Sequence, residues 1–417
     1  MTTLLWMFAS AFATALYFVF TRRRHTPQVK LELDAMPEIG DALGMLAGVT
    51  GAVVQCDNQA RVFQNGALFD ALEADIRAAR HSVHLETFVW TTGTMERRIV
   101  SLLADRARAG LHIRLIVDAV GGMKADLAAF EALRAAGAEV LRYCRPRWWN
   151  WRRFNHRTHR KLAIVDGRIG YTFGHGIADT WLGDAEDAQH WRDTGVRLEG
   201  PVVHSLQAVF MENWIEESHC LPAGDAFPSL APCGTVAAHV VHSAAGDAVS
   251  AVALLYTVAI ACAREEIIIQ NPYFAPDAGV AKLLVEMVRR GVAVHLMVPG
   301  EHTDSPFVRR AGRHLYAALL DGGVRLYEFQ PTLCHQKIVI VDGRWSHVGS
   351  TNFDARSLAL NEEVGIGLLD RDIAQQLRAA FHADLARSAE IDPRRWHRRS
   401  WLQRAGDWIA YRLHDQL

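Results

Sequence analysis

The sequence predicts an α/β protein built from two duplicated α/β/α halves, with mostly parallel or mixed sheets around a pseudo-twofold axis and a membrane helix at the N-terminus. Three observations carry that expectation. Strand-like and helix-like stretches alternate along the chain, a short polar motif occurs twice at the mouth of an apolar strand, and Met1 to Phe20 contains no charged side chain.

Leu4 to Phe20 is almost wholly apolar, and Arg22, Arg23 and Arg24 follow at once. The run is at the short end for a spanning helix and lacks the basic start of a cleaved signal peptide. Residues 1–24 are therefore expected to be an uncleaved anchor, with a helix lying on the bilayer as the alternative. Arginines on the C-terminal side of the run place the domain beyond them in the cytoplasm.

Residues 25–40 read as a linker, and 41–221 as the first half. In it, Ala67–Arg80 has helical spacing of Leu68, Leu72 and Ile76, and Ser82–Trp90 alternates as a strand does. A helix from about Glu96 to Ala109 stops at Gly110, the strand Ile113–Asp118 comes next, and Gly121-Gly122 breaks the chain before another helix and the strand Glu139–Tyr143. Alternation of this kind implies a mostly parallel sheet with helices on its faces. A Pro- and Gly-bearing joint, 222–235, leads to the second half, 236–390. There Ala251–Ala263 and Lys282–Arg290 read as helices, and Ile267–Phe274 and Val292–Gly300 as strands. Arg108-Ala109-Gly110 with its strand matches Arg289-Arg290-Gly291 with its own, at nearly the offset that separates the two motifs. The whole half is repeated.

The motif is His159-Arg160-Lys161-Leu162-Ala163-Ile164-Val165-Asp166-Gly167, then His335-Gln336-Lys337-Ile338-Val339-Ile340-Val341-Asp342-Gly343. Residues two apart on a strand share a face, so an imidazole and an ammonium enter one cavity, twice. Such paired sets suit a two-step phosphoryl displacement. One neutral histidine attacks phosphorus, and the other protonates the leaving alkoxide and then deprotonates the incoming alcohol. Lys161, Lys337 and Asn352, in Gly349-Ser350-Thr351-Asn352, would bind the non-bridging oxygens. No metal and no cofactor is required, and no carboxylate cage for a metal is evident. Each imidazole needs a carboxylate on its other nitrogen. Glu363 is the candidate for His335 and Asp193 for His159, since each begins a following strand; capping or surface pairing is the rival reading. Asp166 and Asp342 complete the candidate catalytic set, with mainly structural work expected of them at a turn before Gly.

Composition excludes some classes. Half the residues are apolar, and 45 Lys and Arg nearly cancel 46 Asp and Glu, which argues against disorder and against a dedicated nucleic-acid binder. The six cysteines (Cys56, Cys144, Cys220, Cys233, Cys262, Cys334) have no zinc spacing and read as mostly buried thiols in a reducing compartment.

The doubled His-x-Lys-x4-Asp pattern resembles that of the phospholipase D superfamily. Asn271-Pro272-Tyr273-Phe274, Arg290-Gly291-Val292, Gly349 through Leu358 with Asn361 and Glu363, Asn155 through Asp166, and Trp191-Arg192-Asp193-Thr194 are similar to bacterial cardiolipin synthases within it, over roughly Ala67 to Leu369. The resemblance implies phosphatidyl transfer from phosphatidylglycerol to the hydroxyl of a second phospholipid, giving cardiolipin and glycerol, at the inner membrane. It implies His159 as nucleophile and His335 as acid and base, with Ser350 and Asn352 in support. Hydrolysis by the same site, as a phospholipase or nuclease, is the alternative, and a non-catalytic scaffold a further one. The first half departs from the pattern: Phe173-Gly174-His175-Gly176 stands where the second has Gly349-Ser350-Thr351-Asn352. Phosphate binding there would lean on Lys161 and glycine N–H groups.

Arg145, Arg147, Trp148, Trp149, Trp151, Arg152 and Arg153 precede the first motif and suit a lipid headgroup layer; stacking on nucleic-acid bases is the rival, and no nucleic acid is expected. The tail, 391–417, carries Arg394, Arg395, Arg398 and Arg399 ahead of an apolar stripe, Trp401, Leu402, Ala405, Trp408, Ile409 and Leu413. It fits a helix on anionic lipid or one packed on the domain.

Overall fold

A computed structural model describes residues 6–8, 10, 14, 29–144, 156–244 and 249–413. The expected anchor, apart from five positions, and the Arg/Trp stretch 145–154 therefore lie outside the described residues. No helix among the described residues is long and apolar enough to cross a membrane. The strands are β1 (Gln55–Gln64), β2 (Ser82–Thr87), β3 (His112–Asp118), β4 (Glu139–Tyr143), β5 (Arg157–Thr158), β6 (Leu162–Val165), β7 (Ile169–Phe173) and β8 (Thr194–Glu199). They continue as β9 (Val236–Ser243), β10 (Glu266–Gln270), β11 (Ala293–Pro299), β12 (Arg325–Phe329), β13 (Ile338–Val341), β14 (Trp345–Gly349), β15 (Asn361–Leu369) and β16 (Ser388–Glu390).

These form one mixed sheet in the order β16-β12-β11-β10-β13-β14-β15-β9-β1-β8-β7-β6-β2-β3-β4, with β5 paired to β15 off that path. On either side of the β9–β1 junction the order runs the same way. Three parallel strands (β2, β3, β4 or β10, β11, β12) lead through three antiparallel ones (β6, β7, β8 or β13, β14, β15). The sheet is thus less parallel than the alternation predicts. Asp166-Gly167 and Asp342-Gly343 all take positive φ, so each motif strand folds back as a tight hairpin instead of crossing over a helix. The runs Ile267-Ile268-Ile269 and Ile338-Val339-Ile340-Val341 are buried throughout, as central strands covered on both faces require.

One core lies under helices Ala251–Ala261, Ala278–Arg289 and Pro306–Asp321, and another under Ala67–Ala78, Thr94–Arg108 and Leu127–Ala135. A third joins the halves, with Phe210 and Trp214 of helix Val203–Ser218 and Phe381 of helix Arg371–Leu385 packed among Leu162, Val196, Val240, Ile340 and Val364. Several boundaries differ from the sequence reading. β2 ends at Thr87, not Trp90, because the chain then turns to other partners: the Trp90 N–H donates to the Gly121 carbonyl (3.3 Å) and Trp90 bridges Ile177. The helix expected from Lys282 starts at Ala278, since the Asp277 carboxylate accepts from the N–H groups of Gly279 (2.7 Å) and Val280 (3.1 Å). Within the expected linker 25–40, Met36 and Ile39 are buried in the second-half core. Cys56, Cys220 and Cys233 are exposed, the first where the register of β1 with β9 shifts and the other two on connecting loops, so only Cys144, Cys262 and Cys334 fit the expectation of buried thiols.

Candidate active site

Each motif enters the sheet at the C-terminal end of a parallel strand. Leu162 pairs with Glu86 and Ile338 with Gln270, which puts Lys161 and Lys337 level with the chain as it leaves β2 and β10. That edge is where open α/β sheets present ligand-binding groups. Both lysines are buried. Lys161 Nζ donates to the His159 carbonyl (2.8 Å) and Lys337 Nζ to the His335 carbonyl (2.6 Å), folding each ammonium back onto the backbone of its own histidine. Lys337 Nζ also lies 3.0 and 3.1 Å from the two ring nitrogens of His335.

The carboxylates come from the opposite halves. His159 Nδ1 donates to Glu363, 2.9 Å from both oxygens, and His335 Nδ1 donates to Asp193 Oδ2 at 2.7 Å. This corrects the sequence expectation, which paired Glu363 with His335 and Asp193 with His159. The cause is a backbone exchange. β5 runs parallel to the start of β15, and the His159 N–H donates to the Glu362 carbonyl (2.8 Å). In the same way Cys334 bridges Arg192, and the His335 N–H donates to the Arg192 carbonyl (2.7 Å). The residue after each accepting carbonyl then delivers its carboxylate to the histidine of the other copy. A carboxylate at Nδ1 holds the proton there and leaves Nε2 with its lone pair.

Burial governs the electrostatics. It holds His159 down at about 4, with Lys161 and Lys337 adding and Glu363 opposing, and His335 at about 3, with Lys337 adding. Burial brings Lys161 to about 7 and Lys337 to about 8, against the pull of Glu363 and Asp193 on each. Burial alone would raise Asp193 and Glu363; the facing imidazoles and lysines outweigh it and hold both below the usual carboxylate range. Each lysine feels both carboxylates and each histidine feels both lysines, as members of one cluster do.

The two copies support their carboxylates differently. Ser350 Oγ donates to Glu363, whereas Gly174 at the equivalent place has no side chain to offer. A Cβ on Gly174 would come within 2.2 Å of Asp193 Oδ1, so glycine leaves that space to the carboxylate. Asp193 is held instead by Trp181 Nε1–H (2.8 Å) and the Thr194 N–H (2.8 Å). Asn352 is buried with its Oδ1 unpartnered. His175 is buried with Nε2 on the Asn65 carbonyl at 2.9 Å. Asp166 and Asp342 take no part in the cluster. They lie at the far ends of β6 and β13, roughly 16 Å of strand from the lysines. Asp166 accepts from the N–H groups of Arg80, His81 and Ser82, and Asp342 from those of Arg264, Glu265 and Glu266.

Sequence reasoning missed the aromatic walls. Phe88 stands edge-on to His159 at 5.1 Å, and Trp181, Trp191 and Tyr273 surround His335 at 5.3, 5.5 and 6.5 Å. Trp191, two residues before Asp193, was the available signal. Also missed was a buried polar layer behind His159, where Asn213 Nδ2 donates to both Glu86 and Glu362 (2.7 Å each) and burial pushes Glu86 up to about 7. Among the described residues Glu186, Asp187 and His190 have the spacing of metal ligands, but Glu186 and Asp187 are exposed and the cluster forms its own ion pairs.

Two His–Lys sets with exchanged carboxylates define a phosphodiester-processing enzyme of the phospholipase D type. A family model described as cardiolipin synthase, PLD-like domain, matches residues 72–180 and 256–385, and the chain belongs to that family. Cardiolipin synthase A of Pseudomonas fluorescens is 34% identical over 383 residues, 91% of this chain and 77% of that one. Cardiolipin synthase 1 of Staphylococcus epidermidis is 35% identical over 355 residues, 84% of this chain and 72% of its own. In fold, the chain resembles phosphatidylserine synthase of Haemophilus influenzae, with a TM-score of 0.66 over 86% of this chain and 95% of that one at 12% identity. Polyphosphate kinase of Porphyromonas gingivalis shares the fold over 90% of this chain and 53% of that one, with a TM-score of 0.54 and 14% identity.

Proposed function

We propose that the protein makes cardiolipin by transferring a phosphatidyl group from phosphatidylglycerol to the hydroxyl of a second phospholipid. The observation that carries this is the pair of imidazoles, each with Nδ1 held by a carboxylate of the opposite half, beside two lysines that share their field. His159 Nε2 attacks phosphorus, the bond to the headgroup glycerol oxygen breaks, and His335 protonates that oxygen. His335 next removes the proton of the acceptor hydroxyl, whose oxygen displaces His159 and restores the phosphodiester. An anionic phosphodiester between the lysines offsets their charge and favours the imidazolium that His335 needs. Lys161, Lys337 and Asn352 bind the non-bridging oxygens, whose charge grows in the transition state. The halves are related by a pseudo-twofold axis through the phosphorus.

The reaction takes place on a bilayer, at the cytoplasmic face of the inner membrane. Supporting the bilayer contact is the tail helix Trp401–Leu413, whose inner face packs Ala410 beside Ala275 and Ala311. Its outer face leaves Trp401 74%, Leu402 63%, Trp408 50% and Ile409 51% exposed, a row suited to the headgroup boundary. Ile409→Asp is expected to weaken binding to phosphatidylglycerol vesicles several-fold; unchanged binding removes this helix from the membrane contact.

The test of the reaction is product analysis with phosphatidylglycerol alone and with added acceptor lipids. Cardiolipin plus glycerol supports transfer, phosphatidic acid supports hydrolysis, and cleaved oligonucleotide points to a nuclease. His159→Ala and His335→Ala are each expected to abolish transfer while the fold is kept.

A further inference from the structure

A cavity of about 780 Å³ lies between helices Ala251–Ala261 and Ala278–Arg289 of the second half and residues 29–33. Its walls are Leu31, Leu33, Ala253, Val280, Leu283 and Phe353, with charge confined to Asp277, Lys282, Glu286 and Arg289. The volume is in the range of pockets that enclose whole ligands, about 300–1,000 Å³, and the apolar lining offers water few partners.

A connection to the phosphate-binding loop gives the cavity its occupant. At one end Phe353, buried and stacked on Tyr256 with centroids 4.4 Å apart, directly follows Asn352. Asn271 ties this end down: its Oδ1 accepts from the Phe353 N–H (3.1 Å) and its Nδ2 donates to the Thr351 carbonyl (3.3 Å), on either side of Asn352. Val29, Leu31 and Leu33 also line the cavity.

We propose that this cavity receives one acyl chain of the phospholipid whose phosphate sits between His159 and His335. The proposal rests on the assignment of phospholipid substrates and names a subsite for them. An acyl chain needs an apolar slot close to its own phosphate, and Phe353 brings the wall of this cavity to the residue beside Asn352. The facing helices would then select for chain length, while the His–Lys cluster acts on the headgroup end alone.

The test uses the full chain in phosphatidylglycerol vesicles containing a phosphatidylglycerol with a photoreactive diazirine midway along one acyl chain. Adducts are expected on 251–261 and 278–289, falling at least about fivefold in Ala253→Trp and in Val280→Trp, which place an indole in the cavity. Adducts confined to other segments overturn the proposal, as they would if the chain's own N-terminal residues filled the space. Labelling does not depend on turnover, so it stands whether or not cardiolipin is formed. As a second readout, both variants are expected to lose at least about tenfold in kcat/KM on dioleoyl phosphatidylglycerol while staying within about twofold on monomeric dihexanoyl phosphatidylglycerol. Equal losses on both lipids, or no loss on either, refute the acyl subsite; the short-chain rate also shows that the variants are folded.

Discussion

At His159 and His335, burial outweighs a carboxylate in direct contact, so both imidazoles stay neutral near pH 7 although each donates to an acid. A nucleophile at phosphorus needs that state, and the carboxylate decides which nitrogen presents the lone pair. Glu363→Gln and Asp193→Asn keep shape but remove the charge that fixes the tautomer, and each is expected to slow transfer by about 10²–10⁴-fold. With His159 as nucleophile, Glu363→Gln blocks phosphohistidine formation, seen by trapping enzyme with a donor labelled in its phosphatidyl part; full trapping in that variant would make His335 the nucleophile. Gly174→Ala pushes a methyl into Asp193 Oδ1 and is expected to cut the rate at least about tenfold, with Gly349→Ala no substitute for it because that glycine faces Gly365 backbone. Wild-type rates in Gly174→Ala would show that Asp193 can move without consequence.

Among the elements, the loop that carries Asp193 is braced by helix Arg371–Leu385. Arg192 Nε donates to both oxygens of buried Asp384 (3.0 Å each), and Arg192 also reaches Gln64 and Asn65. Asp384→Ala leaves that guanidinium buried beside no carboxylate and is expected to lower stability by about 3–5 kcal/mol, read from urea unfolding. A loss under about 1 kcal/mol would mean that the neighbouring amides suffice. Strand and helix patterns around Glu139–Tyr143, Ala67–Ala78 and Ile338–Val341 were legible because periodicity and apolar runs report local burial. So were the histidines and lysines, which lie within one short motif. The carboxylate exchange was not, since Asp193 and His335, or Glu363 and His159, are joined only by backbone pairing between distant segments. Nor was the hairpin that turns each motif strand antiparallel, because Asp-Gly signals a turn without saying which neighbour the strand will find.

For the molecule as a whole, buried imidazoles set the response to acid. Burial holds His84 and His347 at about 3 and His239 at about 4, joining His159 and His335. Their unfolded value is about 6.5, so below it the unfolded chain binds protons that the native state refuses, and stability falls as pH drops from about 6.5 toward 4. Glu86 at about 7 and Asp354 at about 6, with Asp118 and Glu362 also raised by burial, act in the opposite sense, because burial makes the native state take up their protons first, but the imidazoles, with His175 and His295 also lowered by burial, outnumber them. The urea midpoint is expected to be lower at pH 5 than at pH 7; an equal or higher midpoint would contradict this balance.

The swap of acids between the copies also ties their histories together. A lesion at Glu363 leaves the histidine of its own half intact and silences the distant one, and a lesion at Asp193 does the converse. Neither copy can be inherited, borrowed or allowed to decay by itself, since what each contributes is legible only in the working of its twin.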